Sequence, residues 1–277
     1  MRTPIQYGRI VHPFILEPRE LNEILAKGED ILLVDLSKEE TWIRGHIAGA
    51  VHIAPATLVS GIKPAVGKLP DIDVLNTLMG SIGYTRDRYI VAYDDEGGGW
   101  AGRFLWTLSV LGHTAMSYLN GGLAAWLSEG HSVTAEIEQP VPAAANLEID
   151  SSKLVSKDEI IQHLGDPDLV IWDARSHDEY TGQRVFAARG GHIPGAINLD
   201  WLDVMDRDNH LKIRSDIAEI LTSLGISRDK KVITHCQTHH RSGLTWLVGT
   251  ALEYDIRAYD GSWSEWGNDP STPVETR

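Results

Sequence analysis

Short apolar runs alternate along the chain with segments whose apolar residues recur at helical spacing. The runs that start at Ile31 and Leu169 are rich in apolar residues and end at Asp35 and Asp173. Each is preceded by a helical segment and followed by a glycine turn and another helix. Alternating helices and short apolar strands are typical of a mainly parallel sheet with helices on both faces. We therefore predict an α/β fold.

The whole pattern occurs twice. The first half contains the segment ILLVDLSKEETWIRGHIAGAVHI, and the second half repeats it as LVIWDARSHDEY followed by GGHIPGAINL. His46 therefore corresponds to His192. Further on, LNGGLAAW, which ends at Trp126, matches YDGSWSEW, which ends at Trp266. A repeat of about half the chain length indicates two tandem copies of one domain. Because both copies carry the histidine but only one carries a cysteine, we expect the histidines to hydrogen-bond their own turns.

A segment rich in proline and alanine, EIEQPVPAAANLEID, separates the two copies. It has no apolar period, which is typical of a linker. We therefore predict an N-terminal domain at residues 1–135, a linker at 136–150 and a C-terminal domain at 151–277. Each domain is long enough to bury a core of its own.

The candidate chemistry lies in the second copy, in the stretch KVITHCQTHHRSGLTWLVGTALE from Lys231 to Glu253. Its pattern predicts a strand, a tight loop and a helix. In such a loop the backbone N–H groups converge in front of the helix N-terminus and bind anions. Cys236, the only cysteine of the chain, begins the loop. The amides, the helix dipole and Arg241 would stabilise its thiolate, which makes Cys236 a candidate nucleophile.

The rest of the loop supplies the predicted substrate-binding residues. They are Gln237, Thr238, His239, His240, Arg241 and Ser242. Arg241 would give permanent positive charge to the mouth of the site, and His239 and His240 a partial one. At the same place the first copy has DDEGGGWAG, from Asp94 to Gly102, whose three initial carboxylates would repel anions. We expect the first domain to be catalytically silent and to cover the second.

Composition and charge narrow the classes of partner. The 277-residue chain is 42% hydrophobic and 23% charged, as in soluble globular proteins, and no apolar run is long enough to span a bilayer. A formal net charge of -14 argues against nucleic acid and anionic membranes as partners. A single cysteine excludes intramolecular disulfides and Cys-x-x-Cys motifs. We therefore predict a cytoplasmic monomer without a bound metal.

Together these motifs resemble those of the two-domain rhodaneses, the thiosulfate sulfurtransferases. The similarity rests on the tandem copies, the single cysteine, His-Ile-Pro-Gly-Ala at 192–196, the loop from Cys236 to Arg241 and the motif from Tyr259 to Trp266. The loop CQTHHR is most similar to that of the bacterial branch typified by the Azotobacter enzyme. The resemblance implies that Cys236 takes a sulfane sulfur from thiosulfate and passes it, as a persulfide, to cyanide, a thiol or a protein cysteine. It implies small sulfur-containing anions as substrates and no cofactor apart from that covalent intermediate.

The second copy has eight more residues than the first between the strand and the repeated histidine. The insertion falls around 181–189, a stretch that lies near the pocket in the family, so Arg184 and Arg189 are candidates for anion binding; the alternative is a solvated loop. Glu179 stands where animal-type enzymes commonly have an arginine, and a carboxylate there cannot bind an anion. The loop also lacks the motifs of the animal thiosulfate and mercaptopyruvate enzymes. A 3-mercaptopyruvate sulfurtransferase is therefore the alternative activity.

Three other functions fit parts of the pattern. Cysteine-based phosphatases have five residues between cysteine and arginine, whereas four lie between Cys236 and Arg241, which leaves too little room for phosphate. Cys236, His239 and His240 are all metal-ligand types, but adjacent histidines on a tight loop point apart and no fourth ligand is evident. A sulfur carrier or sensing module, which delivers the persulfide only to a docked partner, would use the same single cysteine.

Overall fold

The computed structural model of the protein describes residues 12–276. The strands are β1 (Ile15–Leu16), β2 (Ile31–Asp35), β3 (Val51–His52), β4 (Tyr89–Tyr93), β5 (Met116–Leu119), β6 (Leu169–Asp173), β7 (Ile197–Asn198), β8 (Met205–Asp206), β9 (Lys212–Ile213), β10 (Lys231–His235) and β11 (Asp255–Ala258). The helices are α1 (Pro18–Ala26), α2 (Glu39–Arg44), α3 (Ile72–Ser81), α4 (Gly99–Val110), α5 (Gly122–Ser128), α6 (Lys157–Gln162), α7 (His177–Tyr180), α8 (Ile217–Ser223), α9 (Arg241–Ala251) and α10 (Ser262–Trp266). Single 3-10 turns cover Pro55–Leu58, Ser151–Lys153 and Trp201–Asp203. None of the helices in this described range is both long enough and apolar enough to cross a bilayer.

The strands form two larger sheets, one in each half of the chain, with corresponding strand orders. The first sheet runs β1-β5-β4-β2-β3 and the second β11-β10-β6-β7. Every pair of neighbouring strands in these two sheets is parallel, and the hairpin of β8 and β9 is antiparallel. The central strands are mostly buried, which explains why they read as continuous apolar runs. The predicted α/β fold with two mainly parallel sheets is confirmed.

The two sheets share the register of their central strands. Asp35 of β2 lies beside Tyr93 of β4, and Asp173 of β6 lies beside His235 of β10. The residue that follows β4 and the residue that follows β10 therefore occupy equivalent places. Both lie at the carboxyl ends of parallel strands, where ligands of open α/β sheets bind.

The two repeated histidines have the structural role that their repetition predicted. His46 Nδ1 lies 3.0 Å from the carbonyl oxygen of Trp42, and the imidazole stacks on that indole. His192 Nδ1 lies 2.8 Å from the carbonyl oxygen of Tyr180, and its ring stacks on the phenol. Each histidine therefore closes the turn that follows α2 or α7.

The two halves meet where α4 crosses α9, and glycines permit the close approach of these helices. A β-carbon at Gly102 would lie 2.3 Å from the carbonyl oxygen of Gly243, and one at Gly243 would lie 2.3 Å from the carbonyl oxygen of Gly99. Buried apolar side chains of α4 and α9 belong to one cluster, so the halves share a hydrophobic core. Since α9 begins directly after the candidate loop, the crossing sets the first half against that loop.

The segment between the halves lies against the first of them. The N–H of Ala143 donates to the carbonyl oxygen of Gly80 at 3.0 Å. The N–H of Leu147 donates to Asn76 Oδ1 at 2.8 Å, and the Leu147 side chain is buried. These contacts attach the proline- and alanine-rich segment to the region around α3. The domain boundaries at residues 135 and 151 stay predictions.

Candidate active site

Cys236 lies between the end of β10 and the start of α9 and is buried. Its carbonyl oxygen accepts the N–H of Trp263 at 2.9 Å, and its own N–H donates to Ser262 Oγ at 3.3 Å. The next carbonyl oxygen, that of Gln237, accepts the N–H of Ser264 at 2.9 Å. The first turn of α10 thus holds the beginning of the loop.

The surroundings of Cys236 favour the thiolate. Burial raises the pKa of the thiol, but the charge of Arg241, the hydroxyl and N–H of Ser242 and the N–H of Thr238 together outweigh it, so the pKa lies below its usual value. These donors come from the loop and the first turn of α9, as expected for an amide cradle in front of a helix. The arrangement gives a nucleophilic sulfur with N–H and O–H donors around it.

Arg241, the first residue of α9, is bound by a carboxylate. Its Nη1 and Nη2 donate to Glu179 Oε2 and Oε1 at 2.6 and 2.8 Å. Burial lowers the pKa of Arg241, but the hydrogen bonds to Glu179 and the negative charge of Cys236 raise it above its usual value. Arg241 is therefore a fixed cation beside the sulfur, with part of its charge already compensated.

His239 lies inside the protein and faces the first half. Its Nδ1 lies 2.7 Å from Ser242 Oγ, and its ring meets the edge of Trp106 with centroids 4.4 Å apart. Burial first, and then the charge of Arg103, hold its pKa well below the usual value. The predicted partial positive charge on His239 is thus wrong, because the buried imidazole is neutral. Its contacts instead support the conformation of the loop.

His240 lies between the two halves. Its imidazole stacks on Trp100 at 4.3 Å between centroids and lies 5.5 Å from the ring of Trp201. Its Nε2 contacts Glu96 Oε1, a carboxylate of the first half. His239 and His240 therefore point to different neighbours. In the described residues, 12–276, no group of three or more histidine, cysteine or carboxylate side chains is arranged to hold a metal ion.

Gln237 and Thr238 form the outer part of the loop. Gln237 Nε2 donates to the carbonyl oxygen of Phe186 at 3.2 Å, which connects the loop to the insertion of the second copy. Thr238 is tightly packed against the first half, because a β-carbon at Gly67 would lie 2.2 Å from its carbonyl oxygen. The loop is thus held on one side by its own domain and on the other by the first.

The two arginines of the insertion do different things. Arg189 Nη1 donates to the carbonyl oxygen of Thr272 at 2.7 Å, and Nη2 donates to that of Trp266 at 2.9 Å. These bonds attach the insertion to the C-terminal segment and engage the side chain that was a candidate for anion binding. Arg184 is exposed, with its guanidinium carbon 5.4 Å from the ring centroid of Phe186. Arg184 is therefore the exposed arginine of the two, and it lies beside Phe186, which contacts Gln237 of the loop.

A buried ionic group under the loop was absent from the sequence-based candidates. Arg175 Nη2 donates to Asp173 Oδ2 at 2.6 Å and to the carbonyl oxygen of Gly191 at 2.7 Å. His235 Nε2 lies 3.6 Å from the same Asp173 oxygen. Burial raises the pKa of Asp173, but His235 and Arg175 lower it by more than burial raises it. The pKa of Asp173 therefore lies below its usual value. The repetition of Asp35 as Asp173 was the signal that pointed to this position.

The equivalent cradle of the first half is filled by a side chain of the protein itself. Asp94, which follows β4 as Cys236 follows β10, accepts four backbone N–H groups with its carboxylate. The donors are Glu96, Gly97, Gly98 and Ala101, at 3.1, 3.0, 2.9 and 2.9 Å. The predicted silence of this half, which rested on repulsion of anions by the loop carboxylates, stays a prediction. In the structure Asp94 binds the amides that would face an anion, and it stands where the second half has Cys236.

Two segments of the chain, residues 17–129 and 156–269, match the model of the rhodanese-like domain. The chain belongs to the rhodanese family. This rhodanese is 47% identical over 264 residues to the thiosulfate sulfurtransferase of Azotobacter vinelandii, covering 95% of this chain and 97% of the relative. The same figures hold for the thiosulfate sulfurtransferase of Pseudomonas aeruginosa.

A more distant curated relative matches over most of its length, and a solved structure shares the fold. A sulfur carrier protein of Thermus thermophilus is 31% identical over 270 residues, which are 91% of this chain and 90% of that protein. Among solved structures, the anaerobic ergothioneine biosynthesis enzyme of Chlorobium limicola aligns with a TM-score of 0.83 at 22% identity, over 95% of this chain and 70% of that one. At this identity the likeness shows the fold alone.

Proposed function

We propose that this rhodanese transfers sulfane sulfur from thiosulfate to a thiophilic acceptor through a persulfide on Cys236. The observation that carries the proposal is the setting of Cys236, a buried thiol with a lowered pKa among donors from Ser242, Thr238 and Arg241. The names of the two relatives at 47% identity support thiosulfate as the donor. No other cysteine is present in the chain to take the nucleophile's place.

The transfer consists of two displacements. In the first, the Cys236 thiolate attacks the outer sulfur of thiosulfate; a new S–S bond forms, the S–S bond of thiosulfate breaks, and sulfite leaves with the electron pair. In the second, cyanide or a thiolate attacks the outer sulfur of the persulfide. The S–S bond to Cys236 then breaks, and its electron pair returns to the Cys236 thiolate. Neither displacement consumes a proton or an external oxidant.

The loop suits both states of the sulfur. The thiolate and the persulfide are both anionic, so N–H and O–H donors that already converge on the site stabilise them without reorganisation. Thr238 and Ser242 supply such donors, and the nearby guanidinium of Arg241 supplies charge. The chain contains no resolving cysteine, so the persulfide cannot be lost to an intramolecular disulfide.

Intact-protein mass spectrometry tests the proposal. Incubation with thiosulfate should add one sulfur, about 32 Da, and later addition of cyanide should remove it and release thiocyanate in the same tube. Cys236→Ser is the matched control and should gain no mass. Absence of both mass gain and thiocyanate from the folded wild-type protein would contradict the proposal.

Two other outcomes of this experiment would indicate one of the alternative functions, a 3-mercaptopyruvate sulfurtransferase or a sulfur carrier. A mass gain with 3-mercaptopyruvate but none with thiosulfate would keep the persulfide and change the donor. A mass gain without turnover on cyanide would favour a sulfur carrier, the function in the name of the Thermus relative. Protein sulfur acceptors, the monomeric state, the cytoplasmic location and the absence of a cofactor stay predictions.

A further inference from the structure

Arg103 is a buried cation that the first domain directs toward the catalytic loop. It lies in α4, is fully buried, and has its guanidinium carbon 4.7 Å from the ring centroid of Trp106. Its Nη1 donates to the carbonyl oxygen of Gly67 at 2.7 Å and its Nη2 to that of Leu58 at 2.8 Å. The same Nη1 reaches the carbonyl oxygen of His239, in the loop of the second domain, at 3.5 Å.

This guanidinium has no carboxylate partner in an ion pair within the part of the chain that the structure describes. Its Nε is buried without a hydrogen-bond partner among those residues. A buried cation that no carboxylate contacts directly is costly, and such groups recur at functional sites. Burial lowers the pKa of Arg103 to about 10, while the negative charges of Asp260 and Cys236 act in the opposite direction.

The carbonyl that Arg103 contacts belongs to a residue with an unusual backbone. His239 has φ of 54°, in the left-handed region that residues other than glycine adopt only where neighbours hold them. Two contacts hold it, the hydrogen bond between its ring and Ser242 and the approach of Arg103 to its carbonyl oxygen. Ser242 is also one of the donors that lower the pKa of Cys236, so the turn at His239 affects the cradle directly.

We propose that Arg103 is a positioning residue for sulfur transfer, which the silent domain supplies to the active site of the other. Through His239 it fixes the turn of the catalytic loop, and its charge favours an anionic sulfur at Cys236. The expected effect on the rate of sulfur transfer rests on the proposed function. The expected effect on the pKa of the Cys236 thiol does not. It also gives the first domain a chemical role beyond covering the second.

The effect of Arg103 has to be separated from that of the other charged groups around Cys236. These groups are Arg241 with Glu179, the Asp173–Arg175 pair with His235, the neutral His239, and Asp260. None of these residues is itself substituted in an Arg103 variant, although Arg103 also acts on His239 and Asp260. A shift in the titration of Cys236 that appears in Arg103→Met but not in the charge-conserving Arg103→Lys therefore reports the charge of Arg103.

The experiment measures alkylation of Cys236 by neutral iodoacetamide as a function of pH in the full-length protein. Arg103→Met should shift the alkylation profile to higher pH, with a rate at neutral pH reduced at least about threefold, corresponding to half a pKa unit. Arg103→Lys should keep much of the wild-type profile because it keeps the charge. It should still lower kcat for thiosulfate, since an ammonium cannot span the carbonyl oxygens that the planar guanidinium reaches.

Lys153→Met is the matched control. Lys153 Nζ donates to the carbonyl oxygen of Ser109 at 2.9 Å, near the other end of α4, so this variant removes an interdomain cation away from the loop. It should leave both the profile and kcat unchanged. An unshifted profile in folded Arg103→Met, or an equal shift in Lys153→Met, would overturn the proposal.

If Arg103→Met does not fold, Arg103→Lys still decides the positioning role. A kcat equal to that of the wild type would then contradict it. Because alkylation requires no sulfur donor, a failure of thiosulfate turnover in the wild-type protein would refute the proposed function and leave the alkylation result valid.

Discussion

Arg241 and Glu179 form a bidentate ion pair, with Nη1–Oε2 and Nη2–Oε1 distances of 2.6 and 2.8 Å, beside the sulfur of Cys236. Glu179 also belongs to the capping box of α7, in which its carboxylate accepts the N–H of Ser176. The carboxylate is thus held from two sides. It fixes the guanidinium and removes part of the positive charge that an anionic donor would meet.

We predict that Glu179→Gln lowers KM for thiosulfate by about three- to tenfold, because the amide keeps an oxygen acceptor for Arg241 but removes the competing negative charge. Steady-state kinetics with thiosulfate and cyanide measure the effect. Glu159→Gln is the control, since Glu159 pairs with Arg257 in the same domain but lies outside the site. An unchanged or higher KM in folded Glu179→Gln would show that the pair does not limit donor binding.

Arg241→Ala should have two separable effects. It removes the cation beside the sulfur and leaves the buried Glu179 without a counter-ion, so we expect the free energy of unfolding to fall by about 3 kcal/mol. The double variant Arg241→Ala/Glu179→Gln should recover most of that stability, because no buried charge is then unpaired. It should not recover the use of thiosulfate. Urea unfolding and kinetics on the same samples test both points; recovery of both together would mean that Arg241 acts through stability alone.

Much of this site follows from the sequence, and the remainder depends on contacts between distant segments. The strand, loop and helix around Cys236 follow from local patterning, and so does the internal repeat. The partner of Arg241 lies 62 residues away, and no local pattern encodes which of the many carboxylates reaches it. The same holds for the inward turn of His239 and for Arg103, whose contact spans 136 residues.

One further feature had a signal in the sequence that local patterning does not use. Aligning the two copies at the strands YIVAY and KVITH sets Asp94 opposite Cys236, which suffices to suggest that a carboxylate replaces the sulfur. The bonds of Arg189 to the C-terminal segment had no such signal, because an arginine in an insertion between domain elements is equally compatible with solvent, substrate or backbone carbonyls.

Because α4 and α9 cross at glycines, we predict that one added methyl group at the crossing lowers both stability and sulfur transfer. Gly102→Ala would place its β-carbon 2.3 Å from the carbonyl oxygen of Gly243, so the helices must separate. We expect a loss of about 2–3 kcal/mol in the free energy of unfolding together with reduced sulfur transfer, because α9 carries the loop. Gly249→Ala in the same α9 meets only the Ile256 side chain, which is able to shift, and should cost less and preserve transfer. Equal effects of the two substitutions would contradict this role of the crossing.

Asp94 should make the protein less stable as the pH rises, whereas most carboxylates of folded proteins make it less stable as the pH falls. Burial raises the pKa of Asp94 to about 6, from 3.8 in an unperturbed chain. Between these values the folded protein holds a proton that the unfolded chain has released, so stability from this group is present at low pH and is lost as the pH rises to about 6. The loss corresponds to about 3 kcal/mol and levels off above pH 6.

The free energy of unfolding of the wild type, minus that of Asp94→Asn, should therefore fall between about pH 4 and pH 6, because the amide does not titrate. Asp269→Asn is a control of opposite sign: hydrogen bonds from Lys157 and Ser271 lower the pKa of Asp269, so the corresponding difference should fall as the pH drops below the unperturbed value. Urea unfolding from about pH 3 to about pH 7 covers both changes. A flat difference for Asp94→Asn would mean that the carboxylate in the cradle of the first half titrates normally, and that four amides suffice to offset its burial.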